Sequence, residues 1–222
     1  MDMNLPRAVF AVGALGTAAT GLVDSTKTFA GGISRAGFGY IKQLIQRTVP
    51  AGVNAQSGSG LGIDDILATL LANWMNGMDP GAQKAIAKSF IKLHLNPTTA
   101  AALAAQTNVV PADLISVASK LATMQPLTPQ ESDAYGRFDL ALSALIDHAY
   151  ERADQFYRNC CKLLACFFAI ILTWLGNRSL EQHLPRWEII IVGLIATPLA
   201  PMAKDIANAI QTASDAVGKL KG

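Results

Sequence analysis

Apolar residues recur every three or four positions over most of this chain, which is the period of an α-helix. Ile66, Leu70 and Trp74 follow this spacing, whereas the alternation of apolar and polar residues that marks a strand is not found. The pattern therefore predicts an all-α fold. Within it, residues 63–127 are expected to form a small helical bundle of four or five short helices.

Local signals predict where these helices begin. A capping side chain precedes a proline at Asp79, Asn96 and Thr128, and proline is tolerated at the first helical position because its missing N–H would be unpaired there anyway. Pro111 is expected to begin a further helix without such a cap. Thr128 is followed three residues later by Glu131, which matches the capping box.

The longest predicted element is a single helix from about Thr128 to Gly176. An apolar seam steps by three or four residues from Leu142 to Trp174, and the other faces, charged before Lys162, turn apolar beyond it. A helix that is apolar all round is buried either in protein or in lipid. We predict that three residues of the seam contact another helix: Leu145, Phe156 and Phe167.

A second apolar run follows a polar loop, and an amphipathic pattern resumes beyond Lys204. We therefore predict that residues 128–222 form a long antiparallel helical hairpin. Its tip is expected to span a membrane at about residues 160–176 and 187–203.

The flanks of both runs support this interpretation, because each uncharged run has only 15 residues and a full span needs about 20. Trp174 and Trp187 lie at the loop end, where indoles favour the lipid headgroup level. Lys162 and Lys204 lie at the opposite ends and can extend their ammonium groups to water. A buried hairpin in a soluble oligomer is the alternative.

The first 50 residues are predicted to form an apolar, glycine-rich helical region, followed by a flexible linker at 51–62. Residues 8–23 are mostly small, and Gly13 and Gly16 are expected to join a helix interface because small residues let helices approach closely. A signal peptide is the alternative for this segment.

Composition agrees with a membrane location and disfavours a nucleic-acid partner. Only 15% of the 222 residues are charged, against about 25% in ordinary soluble domains. The formal net charge of +2 supplies no strong field for a phosphate backbone.

No enzyme motif is found in the sequence. The three histidines lie in separate segments outside known metal motifs, and the glycine-rich stretch at 25–39 lacks the order of a phosphate-binding loop. His148 and Glu151 share a helix face and could ligate a metal, but with Asp147 and Asp154 they match an ordinary solvated stripe better. We predict no catalytic residue, no metal and no cofactor.

Three cysteines crowd into one apolar segment, as Cys160, Cys161 and Cys166. An odd number in this setting does not indicate a secreted disulfide framework, so a reducing compartment is favoured. We expect them to act as small buried hydrophobic residues, with lipid attachment or redox sensing as alternatives.

These observations predict a membrane-anchored helical adaptor or scaffold that presents its helical domain to a protein partner or to another copy. Five Lys and Arg residues near the spans lie on the side of the termini and two lie in the loop, which predicts cytoplasmic termini, in a bacterial inner membrane. The lipid bilayer is thus the expected partner, and a homo-oligomer is an option. The alternative function is a membrane-disrupting or pore-forming oligomeric effector.

Overall fold

The computed structural model describes residues 5–28, 31–49, 61–179, 185–201 and 205, and these residues form helices and turns without any strand. The all-α prediction is confirmed. The chain divides into two compact units. The central unit is Ser34–Tyr157, and the terminal unit combines Met1–Ile33 with Arg158–Gly222.

Seven α-helices and one short 3-10 helix (Gly32–Arg35) have defined bounds, and residues 186–201 are also helical and are called α8 below. The seven are α1 (Leu5–Thr26), α2 (Phe38–Thr48), α3 (Ile63–Met75), α4 (Pro80–Leu93), α5 (Ala100–Thr107), α6 (Pro111–Ala122) and α7 (Pro129–Ser179).

The central unit packs around large apolar side chains. Residues 63–127 supply four helices, α3 to α6, and α2 and the first part of α7 complete the core. Along α7, Phe138, Leu142 and Ile146 are buried at four-residue spacing, and Ile41 and Ile45 of α2 are buried in the same cluster. Removal of these side chains from water stabilises the unit.

Two predicted helix starts are confirmed. The Asp79 carboxylate accepts a hydrogen bond from the Ala82 backbone N–H at 2.9 Å, and α4 begins at Pro80. Helix α6 begins at Pro111 without a side-chain cap. In both cases proline occupies a position where no backbone donor is needed.

The start of α5 differs from the prediction at Asn96. The Asn96 Oδ1 accepts hydrogen bonds from the backbone N–H groups of Thr98 and Thr99, at 2.9 and 3.0 Å. These are the N–H groups that a cap ahead of Pro97 would satisfy, and here they stabilise a turn that precedes the regular helix. The helix therefore begins at Ala100 and not at Pro97.

The capping box at the start of α7 is confirmed and carries more contacts than the motif requires. The Thr128 backbone N–H donates to Glu131 at 2.7 Å, and the Glu131 N–H donates to Thr128 Oγ1 at 3.3 Å. From α6, Ser116 Oγ donates to the same carboxylate at 2.7 Å and Lys120 Nζ lies 2.6 Å from it. These donors lower the pKa of Glu131 to about 2, with Lys120 the main cause.

An ion-pair stripe joins α4 to α7. Lys88 Nζ lies 2.6 Å from Asp139 Oδ2, and Lys92 contacts the other oxygen of the same carboxylate. Both lysines lower the pKa of Asp139, with the Lys88 hydrogen bond as the largest cause. The lysines are spaced four residues apart, so they share one helix face.

The same ion-pair stripe includes Asp147 and Glu151, from the acidic segment in which a metal site was weighed against a solvated stripe. Lys84 Nζ lies 3.0 Å from Asp147 Oδ1 and 3.3 Å from Glu151 Oε1. Hydrogen bonds to these two carboxylates raise the pKa of Lys84, with Asp147 the larger contributor. Their neighbour His148 is exposed.

Gly37 is a position where only glycine fits. Its φ is +90°, and an added Cβ would lie 2.2 Å from the carbonyl oxygen of Ala153. We expect Gly37→Ala to lower the free energy of unfolding by more than about 1 kcal/mol, from backbone strain and the clash. Gly39→Ala is the control, since a Cβ there meets nothing within 4 Å and alanine favours the helix. Circular-dichroism melting in detergent micelles measures both, and equal melting temperatures would contradict the assignment.

The Glu131 network predicts a pH-dependent contribution to stability. Because the folded pKa is depressed from its ordinary 4.5 to about 2, the contribution is complete above pH 4.5 and is lost as the pH falls towards 2. Glu131→Gln keeps a capping amide but removes the charge, so it should lower the melting temperature at pH 7 and have little effect near pH 2. Asp133→Asn, which changes an exposed carboxylate two residues further along α7, is the control. A melting difference that stays constant with pH would rule out the charge as the cause.

Candidate membrane interface

The terminal unit is built from α1, the part of α7 beyond Arg158, and α8. Gly16 of α1 packs directly on the backbone of α8, since an added Cβ would lie 2.0 Å from the carbonyl oxygen of Ala196. Gly13, one turn before Gly16, is also buried. The two glycines singled out in the sequence thus lie on the buried face of α1.

A second close approach joins α7 to α8. An added Cβ on Gly193 would lie 2.8 Å from the backbone nitrogen and Cα of Ile170. The three helices meet at a buried cluster of small residues, Ala19, Ala169 and Ala196. Small residues at helix contacts allow backbones to approach closely, which increases dispersion contacts between them.

Large apolar side chains lie mostly on the outside of this unit. Phe10 and Leu22 of α1 are exposed, as are several residues of the other two helices: Leu163, Phe167, Trp174, Leu175, Trp187, Ile190, Ile191, Leu194 and Ile195. The largest fully buried side chains among the described residues, such as Phe138 and Ile41, all lie in the central unit, which also exposes some large ones, among them Leu140 and Met124. The terminal unit therefore presents an apolar outer surface around a core of small residues.

By length and composition, one described helix, α7, can cross a membrane, and only a small part of its apolar window is buried. Trp174 and Trp187 are both exposed, and the Arg178 guanidinium lies over the Trp174 ring at 5.9 Å from its centroid. Lys162 is exposed, while Lys204 lies outside the described residues.

The buried positions of α7 beyond Arg158 differ from the seam inferred from the sequence. Ala165 and Ala169 are buried, whereas Leu163 and Phe167 are more than half exposed. The other two residues predicted to contact another helix, Leu145 and Phe156, belong to the central unit. Leu145 is half-buried, and Phe156 makes an edge contact with Tyr40 at a centroid distance of 5.9 Å.

The cysteine and histidine side chains, which are candidates for reactivity or metal binding, are dispersed over the described structure. The three cysteines are free and half-buried. His94 is buried and its Nδ1 lies 2.8 Å from the carbonyl oxygen of Phe90, while His183 lies outside the described residues. In the described part of the chain, no group of three or more His, Cys, Asp or Glu residues is placed to hold a metal ion.

Comparison of this chain with protein-family models, with curated proteins and with solved structures found no match. The functional argument therefore depends on the contacts and surfaces of the molecule itself.

The contact at Gly16 generates a prediction for the terminal unit. Gly16→Ala should lower the melting temperature in detergent, because its Cβ must displace the Ala196 backbone. Gly21→Ala is the matched control on the same helix: a Cβ there has open space, and alanine raises helix propensity by up to about 1 kcal/mol. If both variants were stabilised equally, the close approach of α1 and α8 would be wrong.

Proposed function

We propose that this protein is a membrane-anchored helical adaptor, in which the terminal unit is held in a lipid bilayer and the central unit is presented to a protein partner or to another copy. The observation that carries the proposal is the opposite distribution of apolar side chains in the two units. Among the described residues, the largest fully buried side chains all lie in the central unit, and most of the exposed large apolar side chains lie in the terminal unit.

Solvent chemistry supports this division. In water, each exposed apolar side chain carries a hydration cost of about 25 cal/mol per Å² of surface, so large apolar patches are normally covered. In lipid that cost is absent, and helices associate instead through small residues that pack closely. Gly16, Gly193 and Ala196 provide such contacts in the terminal unit, while Phe138 and Leu142 form a water-driven core in the central unit.

The hairpin with two spans is part of the proposal. Gly193 lies against Ile170, and a shared cavity is lined by Ala165 of α7 together with Thr197 and Ala200 of α8. Residue numbers therefore rise along one helix as they fall along the other, which supports an antiparallel pair. The exposed indoles of Trp174 and Trp187 fit the headgroup level at the loop end.

Orientation and location follow from charge. The five-to-two excess of Lys and Arg on the side of the termini supports a cytoplasmic central unit, and a bacterial inner membrane is the location we propose. Exposed apolar residues of the central unit offer contacts for a protein partner, among them Leu93, Val110 and Met124.

A pore-forming role receives less support. A water-filled channel needs polar side chains along its wall. Thr173, the polar residue of the apolar part of α7, donates its hydroxyl to the Ala169 carbonyl at 2.7 Å and so is engaged within its own helix. Release of a trapped dye from vesicles would separate the two functions: an adaptor should cause none.

Two leucines of α7 provide a matched test, because Leu140 in the central unit and Leu163 in the terminal unit are each 72% exposed. Leu163→Glu should reduce the fraction of the protein that remains in membrane pellets after carbonate washing, whereas Leu140→Glu should not. Phe167→Glu, one turn deeper, should reduce it further, since a charge costs about 2.5–3.5 kcal/mol at the centre of a span and less near its ends.

Two results would contradict the proposed membrane anchor. Full-length protein that carbonate releases from the membrane would refute the anchor. Equal retention of the Leu140, Leu163 and Phe167 variants would show that the apolar face of α7 does not contact lipid.

A further inference from the structure

A cavity of about 450 Å³ lies among the three helices of the terminal unit. This volume falls within the range of about 300–1,000 Å³ that is usual for small-molecule sites. Its walls are mainly apolar, with Val23 of α1, Ala165 of α7, and Ala200 and Pro201 of α8 among the lining residues. An anchor alone does not require such a space.

Charge is concentrated at one end of the cavity. The lining residues of α1 run from Thr17 to Asp24, about 10 Å along the helix axis at about 1.5 Å per residue. Thr17 adjoins the tightly packed Gly16, so Asp24 lies at the end away from the small-residue core. On α7, Lys162 lies at the corresponding end, two turns before the buried Ala169.

Two charged side chains line the described part of the cavity, Asp24 and Lys162. Asp24 Oδ1 lies 2.7 Å from Lys27 Nζ, so its charge is compensated. Lys162 forms no ion pair with any residue that the structure describes. Among the described lining residues, Lys162 is therefore the charged side chain that remains without an ion pair, beside an apolar interior.

A hydroxyl group that makes no hydrogen bond to the described residues lies nearer the other end of the cavity. Thr17, Thr20 and Thr173 each donate their hydroxyl to the carbonyl four residues earlier, at 3.0, 2.6 and 2.7 Å. Thr197, which lines the cavity, has a buried Oγ1 with no hydrogen-bond partner among the described residues. Buried polar groups without partners are uncommon, and a bound acceptor is one way to satisfy such a group.

We propose that this cavity binds one anionic glycerophospholipid, an inference that rests on the membrane location proposed above. The lipid phosphate pairs with Lys162, an acyl ester oxygen accepts a hydrogen bond from the Thr197 hydroxyl, and one of the two acyl chains lies along the apolar walls. The two polar groups lie at separate depths, as do the phosphate and the esters of a phospholipid. A fatty acid has only one polar group and fits less well.

Cys161 lines the cavity and so reports on its occupancy. The full-length chain carrying Cys160→Ser and Cys166→Ser is placed in bilayer discs of phosphatidylcholine, with or without phosphatidylglycerol. The rate of Cys161 alkylation by N-ethylmaleimide is then measured. We expect phosphatidylglycerol to slow the reaction several-fold, because the bound chain covers the thiol.

Two substitutions with matched controls identify the contacts. Lys162→Gln should abolish the effect of phosphatidylglycerol, whereas Arg178→Gln, which removes a charge that stacks on Trp174, should preserve it. Thr197→Val should weaken protection, whereas Thr173→Val should not. Native mass spectrometry of the unaltered protein in detergent gives a second measurement: one phosphatidylglycerol should be retained, and Lys162→Gln should lose it.

The possible failures are distinguishable. A protein that does not insert into discs overturns both the anchor and the lipid site. A protein that inserts but shows equal Cys161 alkylation in both lipid mixtures, or equal protection in the Lys162→Gln variant, overturns the lipid site alone.

Discussion

The unbroken backbone hydrogen bonding of α7 is the constraint on which both units depend. The helix has 51 residues, about 75 Å at about 1.5 Å per residue, and contributes to both units. Phe138 and Leu142 pack in the central core, and Ala165 and Ala169 are buried in the terminal unit. A helix of this length is stabilised mainly by such packing, since backbone propensity alone is marginal in water.

Helix contacts change in character along α7. In the central unit, interdigitated Ile, Leu and Phe side chains remove apolar surface from water, and ion pairs such as Lys88–Asp139 border the core. In the terminal unit, contacts depend on the absence of side chains, as at Gly16 and Gly193. The first arrangement suits an aqueous environment and the second suits lipid.

Much of the helical framework was predictable from local signals. Helix α4 begins at the proline that follows the Asp79 cap, and α7 begins at the proline that follows the Thr128 cap. These features depend on neighbours three or four residues away, so a short window contains the information. The start of α5 was misplaced by three residues, because the Asn96 side chain accepts hydrogen bonds across a turn and the regular helix begins only at Ala100.

The partners of the acidic stripe on α7 were not predictable in this way. Asp147 and Glu151 looked like solvated residues, but Lys84, more than 60 positions earlier in the chain, pairs with both. No short window links an acidic stripe to a lysine on another helix. The pairing depends on how α4 lies against α7, which is decided by the core between them.

The sequence by itself determined the helical class, most helix starts, and the change from charged to apolar faces at Lys162, because each depends on residues close in the chain. Tertiary structure decided which face of the apolar part of α7 is buried. Where every face of a helix is apolar, the spacing of apolar residues does not indicate which face is buried. The buried face is the one whose side chains are small enough for another helix to approach. That is why Ala165 and Ala169 are buried while Phe167 is exposed, and why Gly16 meets Ala196 from the far end of the chain.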